Sequence, residues 1–288
     1  MLINWAIYVQ SVHTIYIIWL MYRLPIDCIR QRIYIFMFNL FQRKNGSQPR
    51  KIAIGDVHGH FDGMCQLIDF CKLSPEDEVY FLGDVIDRGP KSAQVVKWIR
   101  ERDYPCLMGN HEVMLLTSFN NGTIDEMALR HWLPSGGDTT LESYGDAGIP
   151  PEDLNWFASL PSYLDLGDVF LVHAGVDPFK SIDKQNNDQF CWIREKFLSN
   201  QFPYFPDKII ITGHTITFTL PGVRPGEVAQ GPGWLNIETG AYHRKSGWMT
   251  ALDITNAMVY QVNVFSGKKR KQPLDRIVKL VEPSRVKL

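Results

Sequence analysis

From residue 49 onward, short apolar runs alternate with polar turns that are rich in glycine. The first runs lie at residues 51–54, 78–82, 106–108, 169–172 and 208–212. Because each run is short and bounded by turn residues, each predicts a buried β-strand. Between the early runs, residues 64–71 and 93–99 have the apolar spacing of helices. This alternation predicts a layered α/β domain.

Three later runs, at residues 235–237, 250–254 and 258–265, predict successive strands near the carboxyl end. We expect these strands to form a second sheet that packs against the first. A polar, turn-rich stretch at residues 45–49 separates the patterned region from an amino-terminal segment of different composition. The sequence therefore predicts two parts, an apolar segment at residues 1–48 and a domain at residues 49–288.

The amino-terminal segment has the character of a possible membrane anchor. Residues 1–22 contain no Asp, Glu, Lys or Arg, and the run at residues 15–21 is strongly apolar. That length is about what a bilayer-spanning helix needs, and the Lys and Arg residues after it would keep the domain on the cytoplasmic side. Two alternatives stay open: a helix on the domain surface, or an upstream extension from a misassigned start. We expect the domain in the cytoplasm or, if anchored, at the cytoplasmic face of the membrane.

Composition and charge narrow the classes of function. The 288 residues are 45% hydrophobic and 21% charged, which is typical of a folded globular protein. Because 30 Lys and Arg residues are balanced by 31 Asp and Glu residues, the protein has no global positive field that would favour nucleic acid as a partner. The five cysteines are scattered without a Cys-x-x-Cys pair, which argues against a zinc ribbon and indicates reduced thiols, as in the cytosol.

Three polar turns follow the first three predicted strands. They read GDVHG at residues 55–59, GDVIDRG at 83–89 and GNHE at 109–112. Since ligands collect outside the carboxyl ends of the strands in open α/β sheets, we expect these turns to converge on one site. His173 and His214 follow later apolar runs and should reach the same edge. Carboxylate, imidazole and amide groups suit divalent Mn, Fe or Zn, so the sequence predicts a metal site.

These turns carry a family resemblance. Motifs of the form GDxHG, GDxxDRG and GNHE resemble those of the phosphoprotein phosphatase branch of the calcineurin-like metallophosphoesterases, in particular the bacterial and phage serine/threonine phosphatases. The resemblance covers residues 51–265 and includes Trp-Ile-Arg-Glu at 192–195 and Thr-Gly-Ala at 239–241. It implies a four-layer αββα sandwich with two mixed β-sheets. The turn at residues 135–138 also resembles bacterial relatives, but it indicates no chemistry.

The resemblance further implies two divalent cations, Mn²⁺ first and Fe or Zn as alternatives. Carried over by motif, their ligands would be Asp56, His58, Asp84, Asn110, His173 and His214. The carboxylate of Asp84 would bridge the cations, and a hydroxide between them would attack phosphorus in line. His111 would protonate the leaving group, and Asp87 would orient its imidazole. Arg88 and Arg194 would bind the phosphate oxygens.

Three functions compete at this site. The resemblance favours a serine/threonine protein phosphatase, whose partner is a phosphorylated protein or peptide. The alternative is a bis(5'-nucleosyl)-tetraphosphatase, which uses the same metal core on a phosphoanhydride. Two motif residues, Asp87 and Glu112, favour the phosphatase. A non-catalytic phosphate-binding protein would lack a ligand or the acid, whereas all are present. His243, near the Thr-Gly-Ala segment, is expected at the rim of the pocket.

Overall fold

The computed structural model describes residues 49–120 and 123–288. The amino-terminal segment at residues 1–48, with its possible anchor at residues 1–22, lies outside the described residues, and the expected cytoplasmic location stays a prediction. Within the part of the chain that is described, no helix combines the length and the apolar character that crossing a membrane requires.

The described residues form β-strands, α-helices and short 3₁₀ helices. The strands are β1 (Lys51–Ile54), β2 (Glu78–Phe81), β3 (Phe119–Asn120), β4 (Thr123–Ile124), β5 (Tyr163–Asp165), β6 (Val169–Val172), β7 (Ile209–Thr212), β8 (Val228–Gly231), β9 (Trp234–Asn236), β10 (Trp248–Asp253), β11 (Met258–Asn263), β12 (Lys269–Pro273) and β13 (Val278–Leu280). The α-helices are α1 (Phe61–Cys71), α2 (Ser92–Glu101), α3 (Asn110–Ser118), α4 (Glu126–Trp132), α5 (Gly137–Tyr144), α6 (Pro151–Ser159), α7 (Asn187–Phe190), α8 (Glu195–Leu198) and α9 (Leu274–Ile277). Short 3₁₀ helices lie at Leu133–Ser135, Gly145–Ala147, Ile182–Lys184, Thr217–Thr219 and Pro283–Arg285.

Two mixed β-sheets form the centre of the fold. The first has the strand order β12-β11-β10-β1-β2, and the second has the order β13-β8-β9-β7-β6-β5. In the first sheet β1 is parallel to β2 and antiparallel to β10. In the second, β7 is parallel to both β6 and β9, whereas β5 is antiparallel to β6. The predicted fold class, an α/β protein with two mixed sheets, is confirmed.

The sequence pattern predicted most of the strands, but it did not predict which strands pair with one another. The later strands β10 and β11 do not begin a second sheet, because β10 pairs with β1 in the register Ile52 to Asp253. The second sheet is instead built around β6 and β7 from the middle of the chain. The predicted strand at residues 106–108 is also wrong. Residues 106–108 form one isolated β-bridge, between Cys106 and Phe81. The amide of Met108 then donates to the carbonyl of Pro161, which lies outside the sheet.

The hydrophobic core joins both sheets. Ile54 of the first sheet and Phe170 and Ile210 of the second belong to one cluster of buried side chains. Residues 52–54 of β1 are inaccessible to solvent, although neighbouring side chains in a strand point to opposite faces. Helix α1 covers one of those faces by packing on β10 and β11. Burial on both faces fixes the strand ends, and therefore the turns that follow them.

Candidate metal centre

Predicted ligands follow the carboxyl ends of four strands. Asp56 lies two residues after β1, Asp84 three residues after β2, His173 directly after β6, and His214 two residues after β7. All four are at least 93% buried. The backbone amide of His214 donates to both carboxylate oxygens of Asp56 at 3.1 Å, although 158 residues separate the two. The expected convergence of the turns is therefore present.

The backbone at these turns has an unusual conformation. The positive-φ residues among the predicted site residues are His58 (47°), Asp84 (48°), Asp87 (71°), Arg88 (68°) and His214 (63°). Left-handed backbone costs of order 1 kcal/mol or more at a residue other than glycine, and it concentrates at functional sites. Here the neighbouring turn maintains it, because the amides of Val57 and His58 both donate to the carbonyl of Asp84, at 3.1 and 2.9 Å.

Two clusters of potential metal ligands share the carboxylate of Asp84. The first joins Asp84 to His58 and His111, and the second joins it to His173 and His214. Oδ2 of Asp84 lies 3.7 Å from Nε2 of His58 and 3.8 Å from Nε2 of His111. Its other oxygen, Oδ1, lies 3.4 Å from Nε2 of His173. Each carboxylate oxygen therefore faces a different cluster, as the predicted bridging role requires.

Asp56 and Asn110 complete the predicted ligand set. Oδ2 of Asp56 lies 3.8 Å from Nε2 of His58. Oδ1 of Asn110 lies 3.1 Å from Nε2 of His173 and 2.8 Å from Nδ1 of His214. All the residues predicted to bind metal are therefore adjacent and buried. Their assignment to one cation or the other stays a prediction.

The chemistry of the donor set fits a cation. Nδ1 of His173 must donate to the carbonyl of Leu82, 2.8 Å away, so the neutral ring presents a lone pair at Nε2. That lone pair faces two further acceptors, Oδ1 of Asn110 and Oδ1 of Asp84. His58 is oriented in the same way by the carbonyl of Ile86, 3.0 Å from its Nδ1. Converging acceptors repel one another unless positive charge lies between them, and a divalent cation supplies it.

The charges of the cluster lead to the same conclusion. Burial and, next to it, the neighbouring Asp84 carboxylate together raise the pKa of Asp56 to about 7. Burial lowers the pKa of His173, but the carboxylates of Asp84 and Asp56 outweigh that effect and raise it to about 9. By contrast, burial holds the pKa of His58 and that of His214 well below the usual value for histidine. Without a metal ion the cluster therefore holds protons on His173 and in part on Asp56 near pH 7, and a divalent cation would displace them.

His111 and Asp87 form a close pair beside the first cluster. Nδ1 of His111 lies 2.6 Å from Oδ2 of Asp87, and both side chains are almost fully buried. Because that contact fixes the ring, Nε2 of His111 is directed towards Asp84. By geometry alone His111 could ligate a cation or transfer a proton. Its carboxylate partner is the arrangement that orients a general acid.

Both predicted arginines reach the cluster. Nη1 of Arg88 donates to Nε2 of His58, and Nε of Arg194 donates to Nε2 of His214, each at 2.8 Å. The guanidinium groups therefore lie against different clusters, close enough to bind oxygens of a phosphate placed between them. This guanidinium is partly withdrawn from solvent, and that burial lowers the pKa of Arg194 from its usual value.

The sequence missed several residues around the site. The ring of Tyr242 lies 4.1 Å from Cζ of Arg88 and packs edge-on against His58 at 4.8 Å. His243, which was expected at the rim, packs against Phe218 with ring centres 5.0 Å apart and lies 6.2 Å from the ring of Tyr242, so its place at the rim stays a prediction. A tyrosine beside a histidine carries no separate signal in one sequence, since both are common at the edge of a core.

Glu112 has a role that its motif did not reveal. Its carboxylate is fully buried and accepts hydrogen bonds from the amides of Asp84 and Val85 at 2.9 Å and of Gly109 at 3.0 Å. It therefore fastens the turn that carries Asp84 to the start of α3. Both oxygens accept hydrogen bonds from backbone amides, so Glu112 acts on the site by holding its backbone in place.

Comparison with known proteins identifies relatives of this chain. The family model described as Calcineurin-like phosphoesterase matches residues 49–238, a range that contains every predicted site residue. A protein of Dechloromonas aromatica named "Bis(5'-nucleosyl)-tetraphosphatase, symmetrical" is 33% identical over 129 residues, which are 44% of each chain. One of the same name from Chromobacterium violaceum is 29% identical over 136 residues, 46% of this chain and 45% of its own. The chain thus spans about half the length of the curated relatives it matches.

The fold also has counterparts among solved structures. The cold-active protein-tyrosine phosphatase of a psychrophilic Shewanella superposes with a TM-score of 0.50 and 16% identity, over 81% of this chain and 84% of its own. At that identity the likeness concerns the arrangement of helices and strands.

Proposed function

The chain belongs to the calcineurin-like phosphoesterase family, and we propose that it cleaves dinucleoside tetraphosphates symmetrically. One observation supports the proposal that the site catalyses hydrolysis at phosphorus. Two buried clusters of candidate ligands share the carboxylate of Asp84 and lie beside two arginines. The choice of substrate is supported by the name that the curated relatives carry. Because those relatives are longer than the matched region, the substrate is part of the proposal.

The side chains of this site can divide the work between binding the phosphate and moving a proton. Arg88 and Arg194 approach from different clusters, so their N–H groups can bind separate oxygens of the reacting phosphoryl group. Asp87 fixes the ring of His111, whose Nε2 is the atom placed to give a proton to the leaving oxygen. Bound divalent cations would polarise the phosphoryl oxygens and activate the attacking water.

The nature of the cations is also proposed from the ligand set. The candidate ligands are carboxylate oxygens, imidazole nitrogens and one amide oxygen, without a thiolate. Such a set suits Mn²⁺, with Fe or Zn as alternatives. Two cations, one in each cluster, are proposed because each oxygen of Asp84 faces a different group of histidines.

The structure removes one argument for a protein phosphatase. Glu112 was one of two motif residues that favoured that function, but both of its carboxylate oxygens accept hydrogen bonds from backbone amides. Since it has no free oxygen directed at the cluster, its identity does not select between a phosphoserine and a phosphoanhydride. The expected serine/threonine specificity therefore loses part of its support.

A phosphoprotein phosphatase is the second candidate, and one observation favours it. The pairing of His111 with Asp87 at 2.6 Å is suited to protonating a leaving group. A seryl alkoxide requires that proton, whereas the nucleotide that leaves a phosphoanhydride is a much weaker base. The pair would therefore accelerate hydrolysis of an alkyl phosphoester more than hydrolysis of a phosphoanhydride.

Side-by-side kinetics separate the two candidates. The full chain, loaded with Mn²⁺, is assayed on diadenosine tetraphosphate and on a phosphoserine peptide, and the nucleotide products are separated by chromatography. We expect ADP as the sole nucleotide product and a kcat/KM about a hundredfold higher for the tetraphosphate, or about 2.7 kcal/mol in transition-state free energy. A higher kcat/KM for the peptide would reject the proposal in favour of the second candidate. AMP and ATP as products would reject symmetrical cleavage.

A further inference from the structure

We propose that residues 132–140, here called the clamp segment, position both Asp87 and Arg88 for the reaction. The proposal rests on the proposed function, because it concerns how the same site orients its acid and its phosphate-binding group. The clamp segment runs from the end of α4 through the turn at residues 133–136 into α5. It contains the turn at residues 135–138, to which the sequence assigned no chemistry.

Among the described residues, three side chains donate hydrogen bonds to the carboxylate of Asp87, and the clamp segment supplies two of them. Nε1 of Trp132 donates to Oδ2 of Asp87 at 2.7 Å, beside the contact of the same oxygen with His111. The hydroxyl of Thr140 donates to Oδ1 at 2.6 Å. Both residues are fully buried, so neither hydrogen bond is exchanged for one to water. Both carboxylate oxygens are thus fixed in direction.

Thr140 binds the backbone of Asp87 as well as its side chain. Its hydroxyl oxygen accepts the amide of Asp87 at 2.9 Å while its proton goes to the carboxylate. This double contact matters because Asp87 lies at a φ of 71°, where an aspartate needs support from its surroundings. Without the hydroxyl, Oδ1 of Asp87 would lose its donor, and the contacts of Oδ2 with Trp132 and His111 would have to hold the carboxylate in place.

The same segment positions Arg88. The carbonyl of Gly136 accepts the amide of Arg88 at 3.1 Å, and the carbonyl of Ser135 accepts its Nε at 3.3 Å. This approach requires glycine at position 136, where φ is 111° and a Cβ would lie 2.7 Å from both the amide nitrogen and Cγ of Arg88. One short segment therefore contacts the predicted proton-donating pair and one of the two phosphate-binding arginines.

Conservative variants separate positioning from a merely structural role. Thr140→Val keeps the shape of the side chain and removes the hydroxyl, whereas Thr140→Ser restores it. Trp132→Phe removes the N–H donor and keeps an aromatic ring. Ser143→Ala is the matched control, because this α5 hydroxyl accepts the amide of Ala93 and does not contact Asp87. A loss of stability alone would not depend on the leaving group of a substrate.

Two readouts are made on the full chain. The first is the ¹⁵N-edited NMR resonance of the His111 Nδ1 proton, which reports its hydrogen bond to Asp87 without any turnover. The second is the ratio of kcat/KM for 4-nitrophenyl phosphate to that for phenyl phosphate, whose poorer leaving group depends more on an acid. We expect the resonance to move or broaden in Thr140→Val and Trp132→Phe, and the ratio to rise about tenfold. Thr140→Ser and Ser143→Ala should keep the values of the unmodified protein.

The outcomes decide the two proposals independently. An unchanged His111 resonance in both Thr140→Val and Trp132→Phe would overturn the positioning role, whatever the activity. An equal loss on both esters, not rescued in Thr140→Ser, would overturn it as well. If the unmodified protein hydrolysed neither ester nor diadenosine tetraphosphate, the proposed function would fail, and the resonance would still decide whether the clamp segment positions His111.

Discussion

Replacing Glu112 with glutamine should destabilise the protein through the turn that carries Asp84. The carboxylate accepts three backbone hydrogen bonds, two at one oxygen and one at the other. A carboxamide has one acceptor oxygen, which in its better orientation keeps the bonds to Asp84 and Gly109. Its NH₂ group then faces the amide of Val85, so two donors meet in a fully buried place.

The magnitude follows from that exchange. One hydrogen bond to a charged acceptor is lost and one buried amide is left unpaired, which together cost roughly 2–4 kcal/mol. Without bound metal, burial and then Asp84 raise the pKa of Glu112 from 4.5 to about 7, so at about pH 8 the ionised side chain is disfavoured by roughly 3 kcal/mol, which would cancel this loss. Bound divalent cations would offset the charge of Asp84 and favour the ionised carboxylate. We therefore expect a loss of about 2 kcal/mol in the free energy of unfolding of the Mn²⁺-loaded protein at about pH 8.

Urea unfolding followed by circular dichroism measures this loss. Glu101→Gln is the matched control, since Glu101 is exposed at the end of α2 and forms a surface ion pair with Lys97 at 3.8 Å. Its variant should change stability by no more than about 0.5 kcal/mol. If Glu112→Gln unfolded at the same urea concentration as the unmodified protein, the supporting role assigned to the Glu112 carboxylate would be wrong.

Three further changes test other parts of the account. Gly213→Ala should reduce both stability and turnover, because the new Cβ would overlap Oδ1 of Asp56 and displace that carboxylate; thermal unfolding and kcat/KM check this, and unchanged values would refute the close approach. Burial raises the pKa of Asp77, but hydrogen bonds from Arg50 and from the amide of Ser74 outweigh that effect and lower the pKa to about 2. Because the folded pKa is depressed, roughly 2 kcal/mol of stability is present above about pH 4 and is lost as the pH falls towards 2. Asp77→Asn should remove this part of the dependence of stability on acid pH, measured by urea unfolding at several pH values. The same pH dependence in both proteins would contradict the role of Asp77. His111→Asn should retain metal and should slow phenyl phosphate far more than 4-nitrophenyl phosphate, so equal losses would exclude its role as an acid.

Local sequence pattern predicted the strands of this fold, but it could not predict their partners. The apolar runs at residues 51–54 and 169–172 coincide with β1 and β6, because a short apolar run bounded by turn residues is typical of a buried strand. The pairing of β1 with β10 joins residues about two hundred positions apart, and the alternation of side chains in either strand is the same for any partner. The assignment of β10 to a separate sheet failed for that reason.

The same distinction applies to the site. The residues that converge there could be predicted because Asp, His and Asn after strands are chemically distinctive, and Asp56 and His214 do lie in hydrogen-bonding contact; their role as metal ligands stays a prediction. The residues that orient the site could not, because a tryptophan or a threonine inside a helical segment is typical of an ordinary core. Only the hydrogen bonds of Trp132 and Thr140 to Asp87 distinguish them.

Whether the two clusters hold a pair of cations can be decided by counting the divalent ions that each chain binds. The measurement is equilibrium dialysis of the full chain against Mn²⁺, followed by metal analysis, with Asp84→Asn in parallel. Because both clusters depend on the carboxylate of Asp84, the account predicts about two ions per unmodified chain and weakened binding of both in the variant. A single ion or none in the unmodified chain, or undiminished binding in Asp84→Asn, would contradict it.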